Sequence, residues 1–73
     1  MIKGIVIAGN YRQYQEYIQT NNLIKEEYKY CSSPMDLAGI HGARVIYVGT
    51  PEANPLFDSL DLIVYLSHNI PRP

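Results

Sequence analysis

Ile2-Lys3-Gly4-Ile5-Val6-Ile7-Ala8-Gly9-Asn10-Tyr11-Arg12 decides how this chain reads. Residues 2–8 are almost continuously apolar and rich in β-branched side chains. That is the pattern of a strand covered on both faces, as in the middle of a parallel sheet. Gly9-Asn10 stops the run and the period changes. Tyr11, Tyr14, Tyr17 and Ile18 fall within an arc of about 120° at 100° per residue, which predicts an amphipathic helix over residues 11–20 with a tyrosine-rich buried face. Asn10 is placed to cap that helix, with Gln13 in the reciprocal position three residues on. Asn21-Asn22 supply its stop.

Working outward, two more apolar runs end in small polar clusters. Residues 28–31 alternate, Tyr28 and Tyr30 against Lys29, as a half-exposed edge strand does. Ser33-Pro34-Met35-Asp36 then carries a cap, a proline at the first helical position and an acid three residues after the cap, predicting a short helix that ends near Gly39. Ile40-His41-Gly42 reads as a turn. Residues 44–48 return to the pattern of a buried strand, closed by Gly49-Thr50-Pro51. Asn54-Pro55 makes the start of a further helix, in which Leu56, Phe57, Leu60, Ile63 and Val64 match one face. Residues 62–66 are apolar on nearly every side, so helix is favoured there while a fourth strand stays open. If helical, the second half has more apolar surface, at Leu62, Tyr65 and Leu66, than one contact covers; a dimer interface is one outlet for it. The tail, residues 68–73, is expected to be loose.

Strand, helix, strand, short helix, strand, helix is a single α/β domain spanning residues 1–73. It is a minimal Rossmann-like three-layer unit with a short parallel sheet of strand order 2-1-3 and helices on both faces. The order reverses between the first and third strands, and open α/β sheets bind ligands at the carboxyl end of such a switch point. The polar clusters gather there: Gly9, Asn10, Tyr11 and Arg12 after the first strand, Ser32 and Ser33 after the second, Gly49 and Thr50 after the third. Helix amino termini offer unpaired N–H groups to an anion. Arg12 is the natural cation for a phosphate or carboxylate, and Tyr11 could stack on a base. Each residue also has a plain structural role: Asn10 and Ser33 as caps, Gly9 and Gly49 as turn residues, Arg12 as a solvated charge, Tyr11 as core.

The 73 residues are 47% hydrophobic and 18% charged, with seven Tyr, one Phe and no Trp. That mixture is globular rather than disordered. Net charge is -1, so there is no basic footprint for nucleic acid. The single cysteine, Cys31, cannot form an internal disulfide. The opening apolar run is too short for a signal-peptide core, and no stretch approaches the roughly 18 residues of a membrane span. A cytoplasmic protein without a membrane partner is expected, and self-association into a homo-oligomer suits so small a core. Cys31 with Ser32, Ser33 and His41 nearby lacks any flanking motif of a catalytic thiol. His41 and His68 have no partner at metal-ligand spacing, and there is no phosphate-loop or complete dinucleotide glycine motif. No catalytic residue, metal or cofactor is assigned, and a non-enzymatic role is favoured.

Ile5-Val6-Ile7-Ala8-Gly9-Asn10-Tyr11-Arg12, Tyr30-Cys31-Ser32-Ser33-Pro34-Met35-Asp36-Leu37-Ala38-Gly39 and Val45-Ile46-Tyr47-Val48-Gly49-Thr50 together resemble small Rossmann-like proteins encoded by tailed bacteriophages. The opening alone is similar to the Gly-Ser-Arg turn of the SLOG superfamily, with Tyr11 set between Asn10 and Arg12; that similarity implies a nucleotide-derived ligand. The expectation is therefore a small phage accessory protein, in the host cytoplasm, that binds a nucleotide or other phosphorylated small molecule. The alternative is a module that binds or inhibits a host protein through its apolar C-terminal surface.

Overall fold

The computed structural model describes residues 2–40 and 42–69. Three parallel strands, β1 (Gly4–Ala8), β2 (Tyr28–Tyr30) and β3 (Arg44–Val48), form one sheet of order β2-β1-β3. Helix α1 (Tyr11–Thr20) follows β1, and α2 (Leu60–Asn69) follows β3. Single turns of 3-10 helix occupy Lys25–Glu27, Pro34–Leu37 and Pro51–Ala53. The expected α/β unit with order 2-1-3 is the architecture found.

Every residue of β1 is buried. Ile5 and Ile7 enter one core with Cys31, Leu37, Ala43, Leu56, Leu62 and Tyr65. Val6 and Ala8 enter the other, with Tyr14 and Ile18 of α1. Burying such an aliphatic side chain is worth about 1.5–3 kcal/mol, so these two clusters on either side of one strand are the main source of stability. Tyr14 serves as a core residue because its hydroxyl donates to the Tyr28 carbonyl at 2.6 Å, which removes the cost of burying it. Tyr11 lies at the exposed end of the stripe. Its ring packs on Tyr14 and Tyr30 with centroids 5.5 and 5.6 Å away, and the Lys25 ammonium sits over its face.

Four details differ from the reading of the sequence. β3 is half-exposed rather than buried. In a three-strand sheet both neighbours of β1 are edges, so Val/Ile richness there does not imply cover on both sides. The short segment after Ser33 is a 3-10 turn ending at Leu37. The C-terminal helix starts at Leu60 rather than Pro55. Asn54 makes a side-chain turn, its Oδ1 accepting from Leu56 N at 2.8 Å, and Ser59 caps α2 by accepting from Asp61 N at 3.1 Å. This later start resets the helix phase: Leu62 and Tyr65 face the core, while Leu60, Ile63 and Val64 face outward. Residues 61–66 are helical, as favoured. Residues 68–69 of the expected loose tail also belong to α2, and residues 70–73 lie outside the described residues.

Asn54 is 3% exposed and holds the carboxyl ends of two strands, its Nδ2 donating to the Ala8 and Cys31 carbonyls, each at 2.8 Å. Asn54→Leu fits the volume but leaves those two carbonyls unpaired. It is expected to lower unfolding free energy by on the order of 2–3 kcal/mol, measured by urea denaturation.

Candidate functional site

Gly9 and Thr50 lie 41 positions apart in sequence, yet β1 and β3 in register (Ala8 opposite Val48) bring them side by side at the carboxyl edge. Their donors converge on one atom. Gln13 Oε1 accepts from Gly9 N at 2.8 Å and from Thr50 N at 3.1 Å, and the Thr50 hydroxyl lies 3.3 Å away. Gln13 Nε2 in turn donates to Thr50 Oγ1 at 3.0 Å. The position comes from the cap: Asn10 Oδ1 accepts from Gln13 N at 2.9 Å and fixes the first turn of α1. A reciprocal bond from Gln13 to Asn10 N was expected; the side chain reaches to Gly9 N instead, because that donor and Thr50 N share one acceptor.

Both glycines are needed for this closure. Gly49 is at φ 64°, in the left-handed region, and a Cβ there would lie 2.6 Å from Gln13 Cδ. A Cβ on Gly9 would lie 2.6 Å from Gln13 Oε1.

Ser32 and Ser33 form a separate cluster around Asp36. Its Oδ2 accepts from Ser32 N at 3.0 Å, Ser33 N at 3.1 Å and Ser33 Oγ at 3.2 Å. The backbone bond from Ser32 leads the effects that hold the Asp36 carboxyl below the usual carboxylate range, with Ser33 and the Lys29 ammonium adding to it; partial burial opposes them. Asn54 stands between the two clusters, on the carbonyls of Ala8 and Cys31. Arg12 lies outside both. Its guanidinium is largely exposed and pairs with Glu16 at 3.4 Å. Tyr11 faces Tyr14, Tyr30 and Lys25 rather than the Gly9–Thr50 junction.

Of the eight residues singled out in the sequence, Gly9, Asn10, Gly49 and Thr50 meet around Gln13, Ser32 and Ser33 meet around Asp36, and Tyr11 and Arg12 join neither. The two organising amides, Gln13 and Asn54, were read only as a capping partner and a helix start. Beside local partners at Gly9 and Leu56, Gln13 reaches Thr50 and Asn54 reaches the carbonyls of Ala8 and Cys31, all distant in sequence, and no local spacing reports such a bond. Chemically, the described residues at this edge offer convergent donors for one oxygen atom. Burial, with the nearby Asp36 charge, pushes the Cys31 thiol up to about 11, so it is neutral at pH 7 and a poor nucleophile. His41 lies outside the described residues. Among the described residues no three potential ligands gather for a metal, and no helix is long and apolar enough to cross a membrane. No protein-family model, curated protein or solved structure matches this chain.

Two further concavities lie beside α1 and β3. One of about 290 Å³ near Gln13 is bounded by Glu16, Tyr17, Thr20, Val48 and Gly49. The other, about 630 Å³, lies toward the amino edge of the sheet beside Tyr17, Leu23, Tyr28, Ile46 and the cations Lys3 and Arg44.

The Asp36 cluster has a pH signature. Its carboxyl is lower in the folded chain than the ordinary 3.8, so the ionised form favours folding. That contribution is full above the unfolded value and is lost as pH falls through the folded one. Asp36→Asn is expected to lower the melting temperature at pH 7. The gap to wild type should close as pH drops below 3.8, as followed by circular dichroism.

Proposed function

We propose that this chain is a small non-enzymatic protein-binding module whose working surface is the outward face of α2. One observation carries the reading. Leu60, Ile63 and Val64 are 76%, 55% and 53% exposed, on one side of a helix whose other side already fills the core. A helix that is apolar on both sides belongs in an interior, and here only one side has been given one. Covering these three side chains offers a partner several kcal/mol, at about 25 cal/mol per Å² of apolar surface removed from water. Asp58 and Asp61 border the patch and supply the charged rim that protein interfaces carry. The resemblance to phage-encoded proteins makes a host protein the expected partner class.

A photo-crosslinking residue at position 63 should capture one discrete protein from cells that express the chain. Ile63→Glu should weaken the purified complex by about tenfold or more while leaving the melting temperature within a few degrees, because the site is exposed. Capture of nothing specific, or a complex indifferent to Ile63→Glu, removes this reading.

A second reading rests on the donors gathered at Gln13. Gly9 N, Thr50 N and the Thr50 hydroxyl already surround an oxygen atom, and an anionic oxygen there would form stronger bonds than an amide does. On this reading a nucleotide or other phosphorylated small molecule displaces Gln13, with Arg12 swinging in from the surface. Native mass spectrometry with a nucleotide panel tests it. Gln13→Ala should increase any phosphorylated adduct and Arg12→Glu should diminish it; absence of adducts in wild type and Gln13→Ala alike refutes it.

A further inference from the structure

We infer that β3 is a self-complementary edge, and that two copies of this chain pair antiparallel through it to make a continuous six-stranded sheet. Arg44 N donates to the Lys3 carbonyl at 3.2 Å, which sets the phase of the strand. In a parallel ladder, alternate residues turn both peptide groups toward the same neighbour. Arg44, Ile46 and Val48 therefore bond to β1, and Val45 and Tyr47 present their N–H and C=O groups to the open side. Two outward residues separated by one inward residue are what an antiparallel two-fold requires. With Ile46 on the axis, Val45 faces the partner's Tyr47 and Tyr47 faces the partner's Val45, each pair exchanging two main-chain hydrogen bonds.

The side chains fit the same register. Val45 and Tyr47 lie on the face of Ile5 and Ile7, where Tyr47 is exposed apart from an edge contact to Phe57 at 5.7 Å between centroids. Pairing sets valine against tyrosine twice, a favourable cross-strand combination. On the α1 face Ile46 meets the partner's Ile46 at the closer, non-hydrogen-bonded spacing. Arg44 comes opposite the partner's Val48. The cleft beside Val48 is bounded by Glu16, so each Arg44 is brought toward the partner's Glu16. Arg44 is exposed and has no ion-pair partner among the described residues, and Glu16 is two-thirds exposed with only Arg12 at 3.4 Å. Complementary charge thus stands at both ends of the paired strands, once for each copy.

The other edge is built differently. β2 has three residues, carries Lys29 at its centre, and its ends run into the turns Lys25–Glu27 and Pro34–Leu37. Short length and a lysine are how edge strands discourage pairing. β3 has five residues, a charge only at its first position, and no proline.

Sedimentation velocity of the full chain, from about 10 µM to about 1 mM, tests this inference. A monomer–dimer equilibrium is expected. Val45→Pro removes an outward N–H that the folded monomer does not use; it should leave the circular dichroism spectrum intact and the protein monomeric. Arg44→Glu should weaken the dimer about tenfold, and Arg44→Glu combined with Glu16→Arg should restore it. The charge exchange keeps the test decisive if Val45→Pro does not fold. A monomer at every concentration overturns the inference, as does a dimer unaffected by Val45→Pro and by Arg44→Glu. A dimer dissolved by Ile63→Glu but not by the β3 variants also overturns it, and assigns association to α2.

Discussion

Among the described residues, β1 alone has a strand on each edge, and a hydrophobic core packs on each of its faces; the other elements are arranged around it. Five consecutive buried residues, Gly4–Ala8, supply both cores at once. Gly4 shows how tight that arrangement is, because a Cβ there would lie 2.9 Å from Tyr28 Cδ1 and 3.0 Å from Ile46 Cδ1. The side chains of both outer strands close over the central one where it has none. A chain of this size buries only about 60% of its unfolded surface, so it has little stability to spare. Concentrating the burial on one strand makes the most of a small core and leaves the flanking elements with apolar surface still uncovered.

The carboxyl edge of the sheet illustrates a second constraint. Parallel strands that end together leave peptide groups beyond the ladder without strand partners, and such groups need others. Here three side chains supply them: Gln13 for the donors after β1 and β3, Asn54 for the acceptors after β1 and β2, and Asp36 for the donors after β2. Each is a short reach from a helix or turn that the same edge initiates. Larger α/β proteins often satisfy such an edge with a ligand. In this one the chain's own amides and carboxylate perform that role, which shifts attention toward its outer surfaces.

Much of this was legible in the order of residues. The unbroken apolar run of β1, the change of period at Tyr11, the alternation at Tyr28–Tyr30 and the proline after Ser33 report local conformation directly, and the strand order follows from which runs can be interior. The C-terminal helix was legible as a helix but not in its orientation. Leu56, Phe57, Leu60, Ile63 and Val64 form one apolar stripe, and Leu62, Tyr65 and Leu66 form another, so periodicity alone supports either as the inner face. The choice was made by Asn54 and Ser59, whose hydrogen bonds delay the helix start to Leu60. Long-range polar bonds were the least visible feature: glutamine and asparagine are ordinary surface residues in composition, and only the fold reveals what they reach.

On the reading in which an oxyanion binds at Gly9 and Thr50, the Gln13 closure would make this protein its own competitor. A side chain tethered a few bonds from the N–H donors it occupies acts at a very high effective concentration, and it never diffuses away. An arriving oxyanion would meet those donors only in the fraction of molecules whose glutamine has swung out, so its apparent affinity would be the intrinsic one scaled by that fraction. The position of one side chain would then set a threshold, met only by a ligand that brings further contacts of its own.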